Sequence, residues 1–97
     1  MMCGGFGGAK KADDNTVTLV NEVKGTVETQ LGKTFTTFEP IHYTSQVVAG
    51  TNYKVKVKVG DSDTDYIHIK IHKPLPHNGT ALELMEASEG HTLETSL

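Results

Sequence analysis

The chain has 97 residues, a length that allows one domain with one modest core. Its 36% hydrophobic and 22% charged residues are typical of a folded globular protein and argue against a disordered or fibrous chain. The net charge is −3 and all nine basic residues are lysine, which argues against nucleic-acid binding, because duplex-binding proteins normally carry a basic surplus and contact phosphate with arginine.

Membrane insertion and secretion are not expected. No run of hydrophobic residues is longer than three, as at 47–49, which is far too short to span a bilayer. Segment 1–8 lacks the basic and apolar regions of a secretory signal. The single cysteine, Cys3, has no partner for an internal disulfide, which is typical of a reducing compartment. These features predict a cytoplasmic protein.

The chain begins with a segment that has no apolar periodicity. Residues 1–12 are rich in glycine and alanine, a composition that favours a mobile backbone. We interpret this segment as a flexible N-terminal arm of a single domain that covers residues 1–97.

A helix is predicted to begin at Asp14. Its apolar stripe consists of Val17, Val20, Val23, Val27 and Leu31. Asp13, Asp14 and Asn15 supply N-cap chemistry, and Gly32 with Lys33 can end the helix. The segment is rich in valine and threonine and contains Gly25, all mediocre or poor helix formers, so we expect a sheet to pack over the stripe.

Four strands are predicted after the helix. Segment 35–48 is dominated by β-branched and aromatic residues, and Pro40 within it indicates a bulge or an edge position. Segments 53–59 and 66–72 alternate apolar with polar residues and flank a turn, which predicts an antiparallel hairpin. A rigid turn at 74–79 and a short strand at 81–85 follow. The pattern predicts an α+β fold, in which one helix packs against an antiparallel sheet.

The junction of the first two long strands is apolar. Val47, Val48 and Ala49 stand at a predicted hairpin tip, next to Gly50. From composition alone, a buried strand end is the commoner interpretation of such a run. The alternative is an exposed apolar wedge that enters the cleft of another protein, because exposed apolar patches mark interaction sites.

This junction resembles the signature of the cystatin superfamily, glutamine–any–valine–any–glycine. The matching residues are Gln46, Val48 and Gly50. The longer segment 46–53 is similar to the stefins, or type 1 cystatins. The N-terminus with Gly4 and the segment 75–77 also resemble stefin motifs, and three motifs in order over about residues 1–85 make the resemblance specific. Segment 75–97 departs from the stefin pattern, since it has four glutamates and no lysine, arginine or aromatic residue.

The resemblance implies the cystatin fold, a long helix packed against a curved antiparallel sheet. Gly25 would then permit close approach of the sheet to the helix. The implied function is intracellular, reversible, competitive and tight-binding inhibition of papain-like cysteine proteases such as cathepsins, through a wedge of three segments. The implied protease-binding residues are Gly4, Gln46, Val47, Val48, Ala49, Gly50, Leu75 and Pro76. The resemblance also implies a monomer that can form a domain-swapped dimer, with no cofactor.

The alternatives to protease inhibition are an enzyme and a binding module. An enzyme would need a nucleophile held rigidly beside a base, and Cys3 lies in a glycine-rich terminus that predicts neither, so we expect no enzymatic activity. A binding module would use the wedge on a partner that is not a protease. An inhibition assay against papain separates these functions from the first.

Histidine and lysine side chains share the predicted polar face of the sheet. His68 and His72 are four residues apart on a strand, or about 13 Å, which is too far to chelate one metal ion. We therefore expect no metal site. A solvated basic face is predicted for Lys54, Lys56, Lys58 and Lys70 together with these histidines.

Overall fold

The computed structural model describes residues 8–48, 50–75, 82–95 and 97. The elements in chain order are β1 (Lys10–Lys11), α1 (Asp14–Leu31), β2 (Glu39–Val48), β3 (Gly50–Lys58), β4 (Tyr66–Lys73) and β5 (Glu83–His91). The strands form one antiparallel sheet in sequence order. The predicted α+β architecture is confirmed. Within the described ranges, no helix has the length and apolar character required to cross a membrane.

Both ends of α1 are set by local hydrogen bonds. The Asp13 carboxylate accepts hydrogen bonds from the backbone N–H and the hydroxyl of Thr16, both at 2.9 Å. These bonds lower the pKa of Asp13, the backbone bond most strongly. At the other end Gly32 adopts a left-handed conformation, with φ of 68°, and its N–H donates to the Glu28 carbonyl. The helix therefore begins and ends as its sequence predicts.

The core lies between α1 and the inner face of β3 and β4. Its buried apolar residues are Leu19, Val20, Val23, Val27, Phe35, Val55, Val57, Ile67, Ile69 and Ile71. The predicted stripe was wrong at Val17, which is 38% exposed, and it omitted Leu19 and Thr16, which are buried. At about 100° per residue, the buried face is centred between Val23 and Val27, so Leu19 falls inside it and Val17 falls outside.

The expected role of Gly25 in close helix–sheet approach is wrong. Gly25 is exposed, and a Cβ added there would meet no atom within 4 Å. It lies on the side of α1 opposite the buried valines, where the sheet does not reach. The residue weakens the helix without a packing reason.

The sheet differs from the predicted pattern at its ends. The register of β2 with β3 shifts between Pro40 and His42, which agrees with a bulge at Pro40, one of the two alternatives predicted there. Lys10 and Lys11, within the predicted arm, form β1 against β2. The flexible arm stays a prediction for residues 1–7, which lie outside the described ranges. The last strand, β5, is longer than the predicted segment 81–85 and extends to His91.

The prediction of a solvated basic face is wrong at Lys56, which is buried. Its side chain projects from the sheet face opposite α1, because Val55 and Val57 on either side face the core, yet it is only 2% exposed. The chain after β5 folds back over it, and Nζ donates to the backbone carbonyls of Thr92, Leu93 and Thr95, each at 2.6 Å. Burial lowers the pKa of Lys56, an effect that the Glu94 carboxylate opposes.

His68 is also less solvated than predicted. Its ring stacks on His91, with ring centroids 3.8 Å apart and an interplanar angle of 5°. Its buried Nε2 has no hydrogen-bond partner in the described part of the chain. Burial lowers the pKa of His68 to about 4, and His91, Lys56 and Lys54 add to the effect.

The lowered pKa of His68 predicts a loss of stability in acid. The neutral ring is favoured in the folded state, so its contribution is complete above the usual histidine pKa of about 6.5 and is lost as the pH falls towards 4. We expect His68→Gln to lose less unfolding free energy than the parent between pH 7.5 and pH 4 in urea denaturation followed by circular dichroism. His42→Gln, on β2, is the control. Equal losses in parent and His68→Gln would contradict the prediction.

Candidate functional site

The hairpin between β2 and β3 forms one edge of the molecule. Gln46 pairs with Asn52, Val47 with Thr51 and the Val48 backbone with Gly50, where the chain passes from β2 to β3. Ala49 lies outside the described ranges, as does the Val48 side chain. Val47 is 75% exposed. An apolar side chain this exposed does not fit a buried strand end at Val47.

Gly50 brings this hairpin against the end of β4. Its φ of 105° lies in the left-handed region that favours glycine. A Cβ on Gly50 would stand 2.4 Å from the Lys73 carbonyl oxygen, 3.0 Å from Pro74 Cα and 3.2 Å from His72 Cε1. Two of these three atoms belong to backbone, which has no rotamer freedom with which to yield. Gly50 is therefore required both by conformation and by space.

The segment that follows β4 completes the edge. Because Thr51 pairs with Lys73, the end of β4 lies beside the start of β3. A shallow concavity between the first hairpin and this segment is lined by Val47, Gly50, Thr51, Tyr53, Lys73, Pro74 and Leu75. The structure thus brings together Val47, Gly50 and Leu75 from the predicted contact residues. Pro76 lies outside the described ranges.

The N-terminal segment approaches the same edge. Lys10 pairs with Tyr43 and Lys11 with His42, so β1 runs antiparallel to β2. Residues 8 and 9, the described residues that precede Lys10, are therefore directed towards the hairpin end of β2. Gly4, the predicted contact residue of the arm, lies outside the described ranges.

A row of polar side chains crosses the sheet next to the edge. Asn52 Nδ2 donates to Gln46 Oε1 at 3.1 Å, and Asn52 Oδ1 lies 2.7 Å from His72 Nδ1. The predicted contact residues include Gln46 but not Asn52 or His72, although Asn52 lies within the segment 46–53 that resembles the stefins. Strand alternation places all three on the polar face, but only the registers between β2, β3 and β4 make them neighbours.

The chemistry of this edge is that of a contact surface. Its described side chains are mainly apolar and amide groups, with Lys73 as the charged residue that lines the concavity. Among the described residues, no group of three or more His, Cys, Asp or Glu side chains is arranged to hold a metal ion. The edge is therefore suited to apolar burial and backbone hydrogen bonds with a partner.

Known proteins match this chain over nearly its whole length. The sequence profile described as "Cystatin domain" matches residues 4–94. "Cystatin-B" of Oplegnathus fasciatus is 36% identical over 94 residues, which is 97% of this chain and 92% of that protein. "Cystatin-A" of Felis catus is 40% identical over 97 residues, 100% of this chain and 97% of that protein. "Leukocyte cysteine proteinase inhibitor 1" of Sus scrofa is 41% identical over 85 residues, 88% of this chain and 81% of that protein.

Proposed function

The chain belongs to the cystatin family, and on that basis we propose that it is an intracellular, reversible, competitive and tight-binding inhibitor of papain-like cysteine proteases, including cathepsins. One relative carries cysteine proteinase inhibition in its name. The observation that carries the proposal is the exposed Val47, at a hairpin edge that Gly50 holds against the segment containing Leu75.

The proposed mechanism is steric exclusion of substrate. The edge enters the active-site cleft as a wedge and covers the catalytic cysteine without offering a peptide bond in an attackable position. Burial of an exposed valine side chain contributes about 1.5–3 kcal/mol. The proposed contact residues are Gly4, Gln46, Val47, Val48, Ala49, Gly50, Leu75 and Pro76.

The length of the arm supports its place in this wedge. Gly4 precedes Lys10 by six residues, which span about 20 Å when extended, whereas Tyr43 and Val48 are five residues, or about 17 Å, apart along β2. Because residues 8 and 9 lead from β1 towards the hairpin end of β2, we propose that Gly4 stands beside the tip. A glycine there would let the arm lie close to the enzyme's nucleophile.

We infer that the protein acts as a cytoplasmic monomer without enzymatic activity. Its single cysteine is in keeping with a reducing compartment. Exchange of α1 and β2 between two copies would straighten the first hairpin and give a domain-swapped dimer. Such a dimer would lack the wedge and should not inhibit.

Inhibition of papain tests the proposed function. We expect nanomolar or tighter inhibition that is competitive with substrate and that reverses on dilution. Trypsin and pepsin, whose clefts differ in shape, should be unaffected. A folded protein that does not inhibit papain at micromolar concentration would contradict the proposal and would leave a binding module for another partner as the alternative.

A matched pair of variants assigns that inhibition to the hairpin edge. Val47→Asp puts a charge into the apolar contact, and we expect inhibition to weaken by about 30-fold or more. Val17→Asp makes the same change at an exposed valine of α1 and should leave inhibition unchanged. Equal inhibition by both variants would place the contact elsewhere.

A further inference from the structure

His72 occupies the middle of a row of paired residues just behind the hairpin edge. It pairs with Asn52 of β3 on one side and with Glu83 of β5 on the other. Asn52 in turn pairs with Gln46 of β2. The row therefore links both strands of the first hairpin to the strand that leads to Leu75.

The hydrogen bonds in this row indicate which ring nitrogen of His72 carries a hydrogen. The Asn52 amide donates through Nδ2 to Gln46 Oε1, so the atom it presents to His72 is the carbonyl oxygen Oδ1. A carbonyl oxygen only accepts, and Nδ1 of His72 must therefore carry the hydrogen of this 2.7 Å bond. The same assignment leaves Gln46 held through its own carbonyl oxygen.

The ring of His72 also faces the first hairpin directly. Its Cε1 stands 3.2 Å from the position that a Cβ of Gly50 would take, next to the carbonyl of Lys73. The His72 imidazole thus hydrogen-bonds to Asn52 through Nδ1, and its Cε1 lies close to the backbone of Gly50. Displacement of this ring would affect the hairpin register and its approach to β4 together.

We propose that His72 is a positioning residue of the inhibitory edge, which holds the first hairpin in its binding geometry through Asn52 and Gln46. The inference rests on the proposed function and adds a residue that lies outside the three contact segments. His72 acts through its neighbours and before the enzyme arrives. Loss of the Nδ1–H bond lowers the fraction of molecules whose hairpin is ready to bind, which slows association more than it speeds dissociation.

Two variants of nearly identical shape test the role of the Nδ1 donor. His72→Asn keeps an N–H at the position of Nδ1, whereas His72→Leu replaces it with a methyl group. In stopped-flow binding to papain, we expect His72→Leu to associate about fivefold more slowly, the effect of one ordinary hydrogen bond, with little change in dissociation rate. His72→Asn should associate within about twofold of the parent.

Nuclear magnetic resonance supplies an independent measurement on the free protein. The imidazole of His72 should show a protonated Nδ1 that is protected from exchange, and Asn52→Ala should remove that protection. The inference is overturned if Nδ1 is unprotonated at neutral pH, or if both His72 variants associate at the parent rate or are slowed equally. If the parent inhibits papain and His72→Leu associates at the parent rate, this inference alone is overturned. If the parent does not inhibit papain, the proposed function is overturned as well.

Discussion

Replacement of Gly50 by alanine should weaken inhibition of papain by about 100-fold or more, since a loss of about 3 kcal/mol corresponds to that factor. The added Cβ would stand 2.4 Å from the Lys73 carbonyl oxygen, far inside the contact distance of real Cβ atoms. The φ of 105° is unfavourable for alanine as well. The first hairpin must therefore move away from β4, and the edge loses the arrangement that brings Val47 and Leu75 together. Inhibition constants against papain measure the effect.

Gly90→Ala is the matched control for this prediction. Gly90 also has a positive φ, of 75°, but a Cβ there would meet no atom within 4 Å, and the residue lies on β5. Gly90→Ala therefore introduces the strain of a positive φ without a steric clash between the first hairpin and β4. We expect this variant to lose some thermal stability and to inhibit papain as well as the parent does. Unchanged inhibition by Gly50→Ala, or equal weakening by both variants, would show that the approach of the hairpin to β4 does not determine binding.

Replacement of Lys56 by methionine should cost about 2–3 kcal/mol of unfolding free energy, because hydrogen bonds from a charged donor such as the Lys56 ammonium group contribute about 1.5–3 kcal/mol. Three backbone carbonyls, those of Thr92, Leu93 and Thr95, lose their common donor. Methionine preserves the length of the side chain, so the change removes the ammonium group more than the packing. Thermal unfolding should shift down by about 10 °C or more for a domain of this size.

Lys58→Met controls for the loss of a lysine from β3. Lys58 lies two residues further along the same face and is only partly buried. Its replacement should shift the unfolding temperature by much less. Lys56→Met should still inhibit papain below its transition, because Lys56 is remote from Gly50 along β3. If Lys56→Met unfolds at the same temperature as the parent, the hydrogen bonds from Lys56 to the chain after β5 do not stabilise the fold.

Local features of the sequence determined the helix and the direction of most side chains in the sheet. Asp13 and Gly32 satisfy the ends of α1 through bonds to residues within one turn, so the helix bounds are readable from neighbours in sequence. The alternation in β3 and β4 predicted which residues face the core, since successive strand residues point to opposite faces. The motif likewise marked Gly50 as a special position, and its role in protease binding stays a prediction, as do those of Gly4, Ala49 and Pro76.

The tertiary structure alone decided what covers each face and which distant residues meet. Alternation placed Lys56 and His68 on the polar face, but the chain that buries Lys56 comes from residues 92–95, and the ring on His68 comes from His91. The link from Gln46 to His72 likewise depends on two strand registers. Sequence patterns report burial on one strand or helix at a time, whereas the contacts of Lys56, His68 and His72 join residues separated by 20 or more positions, as His72 and Asn52 are. Only the assembled sheet and the chain folded over it bring such residues within hydrogen-bonding distance.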